Sequence, residues 1–175
     1  MNVLEVIRVI NQMQAERVIE RYAIGGAVGA TFYLEPVATL DVDVFVSFRP
    51  QPGQLILSLQ TIFDYLKARG CAIEREYVLI AGWPVQFLPP GTSLVEEGLQ
   101  QSVEKTVEGA PARVFTAEHL AGMALETGRA KGKARLLQFV EAGVLDAKRF
   151  KEILARHSLV DRWRQFEQQF LKETS

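Results

Sequence analysis

The sequence is poor in the residues that usually carry metal and redox chemistry: of 175 residues, one is cysteine and two are histidine. Cys71 can close no disulfide within the chain and has no second thiol for a zinc knuckle, so a small packed side chain is the expectation. His119 and His157 stand far apart, outside any metal-ligand spacing. Long apolar runs are missing too. No stretch approaches the roughly 18 uninterrupted apolar residues of a membrane span. The opening MNVLEVIRVINQMQAER carries Glu5 and Arg8 where a secretory leader has an apolar block. The expectation is a soluble, cytoplasmic protein that engages no membrane. Charge of one sign is also lacking: 20 basic residues face 21 acidic ones, for a net charge of −1. That balance argues against a nucleic-acid binder working by bulk charge. Repeats, low-complexity stretches and loose linkers are absent. What is present is a 48% hydrophobic share, enough for a substantial core in a chain that buries roughly 70% of its unfolded surface.

Periodicity divides the chain near residue 115. Val3, Val6, Ile7, Ile10 and Met13 fall on one helical face. Tyr22-Ala23-Ile24 reads as a short buried strand stopping at Gly25-Gly26, followed by a short helix over Ala27–Leu34 closed by Pro36. Leu40–Phe48 alternates strictly, with Asp41, Asp43 and Phe45 on one side and Val42, Val44 and Val46 on the other. The Pro50-Gln-Pro-Gly53 cluster ends that strand, and a helix follows over Leu55–Ala68, with Gly70 as its stop. Tyr77–Ala81 and Pro84–Leu88 read as a hairpin turning at Gly82-Trp83, and Val103–Val107 with Ala112–Phe115 as a further pair around Gly109-Ala-Pro111. From Thr116, a helix N-cap with Glu118 beside it, the pattern is helical: Leu120–Thr127, Ala134–Glu141, Ala147–Arg156 and Leu159–Phe170. The expected architecture is α/β (α+β), a small mixed or antiparallel sheet flanked by helices over residues 1–115, with a helical bundle over 116–175 packed on it.

Two features suit one another chemically. A glycine pair between a strand and a helix lets backbone amides approach a phosphate. Asp41 and Asp43, at i and i+2 on one strand, share a face with Cα atoms roughly 6–7 Å apart, so their carboxylates can converge on hard divalent cations. Two such ions about 3.5–4 Å apart would clamp the attacking and leaving oxygens of an in-line phosphoryl displacement. Gly25-Gly-Ala-Val-Gly29 is neither a dinucleotide fingerprint nor a P-loop. Alone, a Gly-Gly is usually a turn and an Asp-x-Asp is often solvated; the apolar Val face behind these aspartates and Phe45 beside them favour a cleft.

Ala23-Ile-Gly-Gly-Ala-Val-Gly-Ala followed by Ala38-Thr-Leu-Asp-Val-Asp-Val-Phe resembles the signature of minimal nucleotidyltransferases of the polymerase-beta-like superfamily, in particular the abortive-infection (type IV toxin-like) group and its uncharacterised bacterial relatives. The strand around Trp83-Pro-Val-Gln-Phe-Leu-Pro falls where that family has its third carboxylate. Thr116-Ala-Glu-His-Leu-Ala with Gly128-Arg-Ala-Lys-Gly-Lys-Ala-Arg135 resembles its helical portion, and about residues 15–160 are covered. The resemblance implies that Asp41 and Asp43 hold Mg2+, with two ions possible, that Gly25 and Gly26 hold the triphosphate of an NTP, and that Thr39 caps or orients the strand. Arg129, Lys131 and Lys133 match the family's basic motif and would meet the nucleotide. It implies transfer of a nucleoside monophosphate to an acceptor hydroxyl, on RNA or protein, with an antitoxin partner or a homodimer as possible assemblies.

Three departures bear on activity. Gln86 stands where the third acid is expected, Ala124 where the helical portion commonly has lysine, and Gly132 in place of the aspartate of the Arg-x-Lys-Asp motif. An amide cannot act as a general base near neutral pH, and losing a positioned base typically costs about 10²–10⁴-fold in rate. A catalytically degenerate fold that binds a nucleotide or a partner is therefore the alternative. Between Arg129 and Arg156 eight basic residues face three acids: either a solvated face or a basic wall opposite the aspartates. Trp163, Phe166 and Phe170 form an aromatic stripe that reads as core or dimer seam before base-stacking platform.

Overall fold

The computed structural model describes residues 3–36, 38–39, 41–49 and 59–172. Helices are α1 (Val3–Ala15), α2 (Gly26–Ala30), α3 (Gln60–Ala68), α4 (Ser93–Gln100), α5 (Ala117–Thr127), α6 (Ala130–Ala142), α7 (Ala147–Arg156) and α8 (Val160–Phe166), the last continued by a π-helical turn over Glu167–Leu171. Strands are β1 (Arg21–Gly25), β2 (Val42–Ser47), β3 (Ala72–Glu74), β4 (Tyr77–Ile80), β5 (Trp83–Leu88), β6 (Val103–Val107) and β7 (Ala110–Val114). They form one seven-stranded sheet in the order β3-β4-β5-β2-β1-β7-β6. Neighbours are antiparallel except β2 with β5 and β1 with β7. The expected mixed sheet with C-terminal helices is the architecture observed.

The alternation in β2 decides how the layers stack. Val42, Val44 and Val46 are fully buried and join Val6, Ile7, Ile10 and Met13 of α1 and Ile62 and Leu66 of α3 in one core. On the opposite face Phe45 meets Phe115 edge-on, ring centroids 5.2 Å apart. There a second core gathers Ala23, Leu94 and Leu99 with Leu120, Leu136, Phe139, Phe150 and Ile153. Each such aliphatic side chain contributes about 1.5–3 kcal/mol on burial. The acidic positions of β2 thus share their face with the helices that follow Thr116. Thr116 caps α5 by accepting from the His119 amide, 3.2 Å away.

Several details differ from the periodicity reading. The hairpin turns at Ala81-Gly82, both at positive φ (50° and 83°), so Trp83 opens β5 and pairs with Ile80. Two residues at positive φ give the tight turn whose twist matches the flanking strands. The β6–β7 turn likewise falls at Glu108-Gly109 rather than around Pro111, with Val107 opposite Ala110. Helix α2 ends at Ala30, and turns carry the chain on to Leu34. Strand β3 and helix α4 carry no counterpart in the periodicity reading. Cys71 is partly buried against the first core. In the terminal stripe Phe166 is buried, while Phe170 remains 37% exposed. Leu40, Pro50–Gly53 and Leu55 lie outside the described residues.

Candidate active site

The site is a row across four adjacent strands. Gly25 of β1 pairs with Asp43 of β2, Asp43 with Gln86 of β5, and Gln86 with Tyr77 of β4. Paired residues project to one face of a sheet, so Asp43, Gln86 and Tyr77 emerge side by side. Asp41 stands just before β2, where the Tyr77 hydroxyl donates to its Oδ2 across 3.2 Å. The Thr39 hydroxyl donates to the Asp41 backbone carbonyl at 3.1 Å, holding the approach to the strand.

Glycine is required at the turn for two reasons. Gly26 adopts φ +59°, and a Cβ there would come within 2.3 Å of Asp43 Oδ2. The Asp43 carboxylate therefore lies directly on the Gly26 backbone, so the Gly-Gly and Asp-x-Asp motifs are parts of one structure. A Cβ on Gly25 would meet the Phe45 ring at 2.9 Å.

The electrostatics are set by burial and by Arg135. Burial raises the Asp43 carboxyl above the usual carboxylate range, the charge of Asp41 adds to this, and the guanidinium of Arg135 opposes it. Burial correspondingly lowers Arg135, while Asp43 pulls it back up. The hydrogen bond to Asp41 raises the Tyr77 phenol, which keeps it a donor. The donor set of the row is oxygen only: two carboxylates and the amide of Gln86. That set fits a hard divalent cation that keeps several of its ligands from water and phosphate. Among the described residues no group of three or more His, Cys, Asp or Glu is placed to hold a metal without such help.

The three basic motif residues do not converge. Arg129 is the exposed N-cap of α6. Lys131 is exposed and lies one turn before Arg135, on the same flank of α6. Lys133 points the other way and lines a cavity of about 310 Å³ between the end of α5 and α8. Ala124 and Gly132 meet where α5 crosses α6: a Cβ on Gly132 would stand 3.2 Å from the Ala124 carbonyl and 3.5 Å from its Cβ. The two helical departures are thus one small-on-small helix contact.

Sequence reasoning missed Tyr77 and Arg135. A hairpin turning at Gly82-Trp83 would set Tyr77 opposite Leu88, two residues past Gln86, so the true Ala81-Gly82 turn is what reveals the row. The signal for Arg135 is its place one helical turn beyond Lys131. A second polar cluster lies apart from the row: Glu97 of α4 receives the Arg156 guanidinium at 2.7 Å and contacts His119 Nε2 at 2.8 Å, with His157 Nε2 at 3.2 Å.

No protein-family model and no curated protein sequence matches the chain. Solved structures do. An antigenic nucleotidyltransferase-like protein from Paracoccidioides brasiliensis superposes with a TM-score of 0.54 at 13% identity, over 86% of this chain and 84% of that one. ANT(2'')-Ia in complex with adenylyl-2''-tobramycin gives 0.53 at 14% identity, over 90% and 97%. The solution structure of the antibiotic-resistance factor ANT(2'')-Ia gives 0.55 at 15%, over 97% and 98%. The chain therefore has a nucleotidyltransferase-like fold, similar along nearly its whole length to these proteins.

Proposed function

We propose that the chain binds a nucleoside triphosphate with Mg2+ at the Gly26–Asp43–Gln86 row and transfers the nucleoside monophosphate to an acceptor hydroxyl. The observation that carries this reading is the seating of Asp43 on the Gly26 backbone with Asp41 and Gln86 beside it, on a nucleotidyltransferase-like fold. Asp41 and Asp43 would hold the cation, which when bound neutralises phosphate charge. The turn at Gly25-Gly26 leaves backbone beside Asp43 for the phosphates, and Arg135, with Lys131 on its flank, offers positive charge to them. In the transfer the acceptor oxygen forms a bond to the α-phosphorus, the bond to pyrophosphate breaks, and the hydroxyl proton goes to solvent. Gln86 cannot take that proton, so turnover is expected to be slow, down about 10²–10⁴-fold for want of a positioned base.

Thermal melting with Mg2+ and each of the four NTPs tests the binding. A nucleotide-dependent rise in Tm is expected, abolished in Asp41→Ala/Asp43→Ala; no rise with any NTP overturns the reading. Gln86 in the row specifically favours a second reading, a catalytically silent nucleotide- or partner-binding module. Label transfer from NTP to RNA or protein, lost in Asp41→Ala, would decide for the enzyme. The motif resemblance to abortive-infection proteins makes RNA or protein the proposed acceptor, in contrast to the aminoglycoside product bound in ANT(2'')-Ia, and makes an antitoxin or a second copy the proposed partner.

A further inference from the structure

The row holds less negative charge than a pair of dications needs. Across β2, β5 and β4 the side chains are Asp43, Gln86 and Tyr77, with Asp41 tied to Tyr77 at 3.2 Å. Among the described residues of the row and its approach, Asp41 and Asp43 are the two carboxylates. A second ion would need its own anionic ligand beside Asp43, and the place adjoining Asp43 in the sheet is filled by a neutral amide that binds metals weakly. The phenol of Tyr77, on the far side of Gln86, is a donor to Asp41 and occupies one of that carboxylate's oxygens.

We propose that this site loads a single divalent cation, carried in on the nucleotide's phosphates. The inference rests on the NTP-binding reading above. Mg2+ suits such loading, since it is commonly bound by one or two carboxylates plus substrate phosphates and keeps much of its water. Gln86 then serves as a neutral spacer that stops the row from collecting a further ion.

The test counts ions rather than turnover. The full chain is titrated with Mn2+, with and without a non-hydrolysable NTP analogue, and free Mn2+ is followed by electron paramagnetic resonance. A single bound ion that appears only with the nucleotide is expected. Gln86→Glu, close in size, should bind a second ion. Melting curves of the variant confirm folding. Two ions on the unaltered chain with nucleotide, or an ion bound tightly without it, overturn the proposal while leaving nucleotide binding intact. Failure of the analogue to bind at any Mn2+ concentration overturns the NTP-binding reading itself, which sets that outcome apart.

Discussion

Gly26 couples backbone conformation to site chemistry, since its left-handed φ of +59° and its missing Cβ are both what allow Asp43 to lie on the turn. Gly26→Ala should therefore fail twice. The left-handed conformation costs about 1–2 kcal/mol and the overlap with Asp43 roughly 1–3 more, a Tm drop of about 4–20 °C at the 2–4 °C per kcal/mol typical of chains this size. Melting with and without Mg2+ and NTP should show both that drop and the loss of any nucleotide-dependent rise, because Asp43 must move. Tyr77→Phe is milder: it removes only the donor to Asp41 Oδ2. Apparent nucleotide affinity at fixed Mg2+ should fall about 2–10-fold while the ligand-free Tm stays put, as titration by fluorescence or calorimetry would read. These two residues also mark how far the sequence could be read. Gly26 and Asp43 were recognisable because their types and spacing are local. Tyr77 was not, because its place depends on the hairpin register, and moving the turn by one residue moves its partner by two.

At the scale of elements, helix packing explains what motif comparison reads as loss. Ala124 and Gly132 face one another where α5 meets α6, with 3.5 Å between the Ala124 Cβ and a Cβ built on Gly132. Introducing the aspartate of the Arg-x-Lys-Asp motif that this segment resembles, by Gly132→Asp, should not raise nucleotide transfer. It forces a carboxylate toward the Ala124 carbonyl, and overpacking of this kind costs about 1–3 kcal/mol, or a Tm lower by roughly 2–12 °C. A variant that melts at the original temperature and transfers nucleotide faster would show the crossing to be catalytic instead. Legibility also differed by element. α1 and α7 were plain because their apolar residues keep helical spacing. α4 has its own signals, a Thr92 cap accepting from the Val95 amide at 3.3 Å and buried Leu94, Val95, Gly98 and Leu99. They were overlooked because two prolines and a glycine precede a helix of only eight residues. β3 was beyond reach for a different reason: its three residues are mostly exposed at the sheet edge, so no alternation reveals them.

Over the whole molecule, the helices beyond Thr116 are joined to the rest by an apolar core and by polar contacts, among them a cluster that makes stability depend on pH. Glu97 on α4 binds Arg156 at the end of α7 and His119 on α5. Thr116 Oγ1 lies 2.7 Å from His119 Nδ1, and Ser93 Oγ lies 3.1 Å from His157 Nδ1. Burial alone would raise the Glu97 carboxyl, but hydrogen bonds from Arg156, His119 and His157 outweigh it and hold it at about 2. Burial lowers His119 below the usual 6.5, against the pull of Glu97 and Glu118, so its imidazole is neutral in the folded chain near pH 7. Both groups have folded values below their unfolded ones, so the unfolded chain binds more protons on acidification and stability falls with pH. The His119 contribution is complete above 6.5 and declines below it. The Glu97 contribution is complete above its ordinary 4.5 and is lost as pH falls toward about 2. Glu97→Gln should destabilise the chain at pH 7 by about 1–3 kcal/mol, since it weakens the charge-assisted bonds to Arg156 and to the buried His119. The same variant should remove the steeper acid step below pH 4.5. Thermal melting of both forms from pH 3 to pH 8 reads these outcomes. Parallel curves for the two would mean that the cluster does not couple the helices to the sheet.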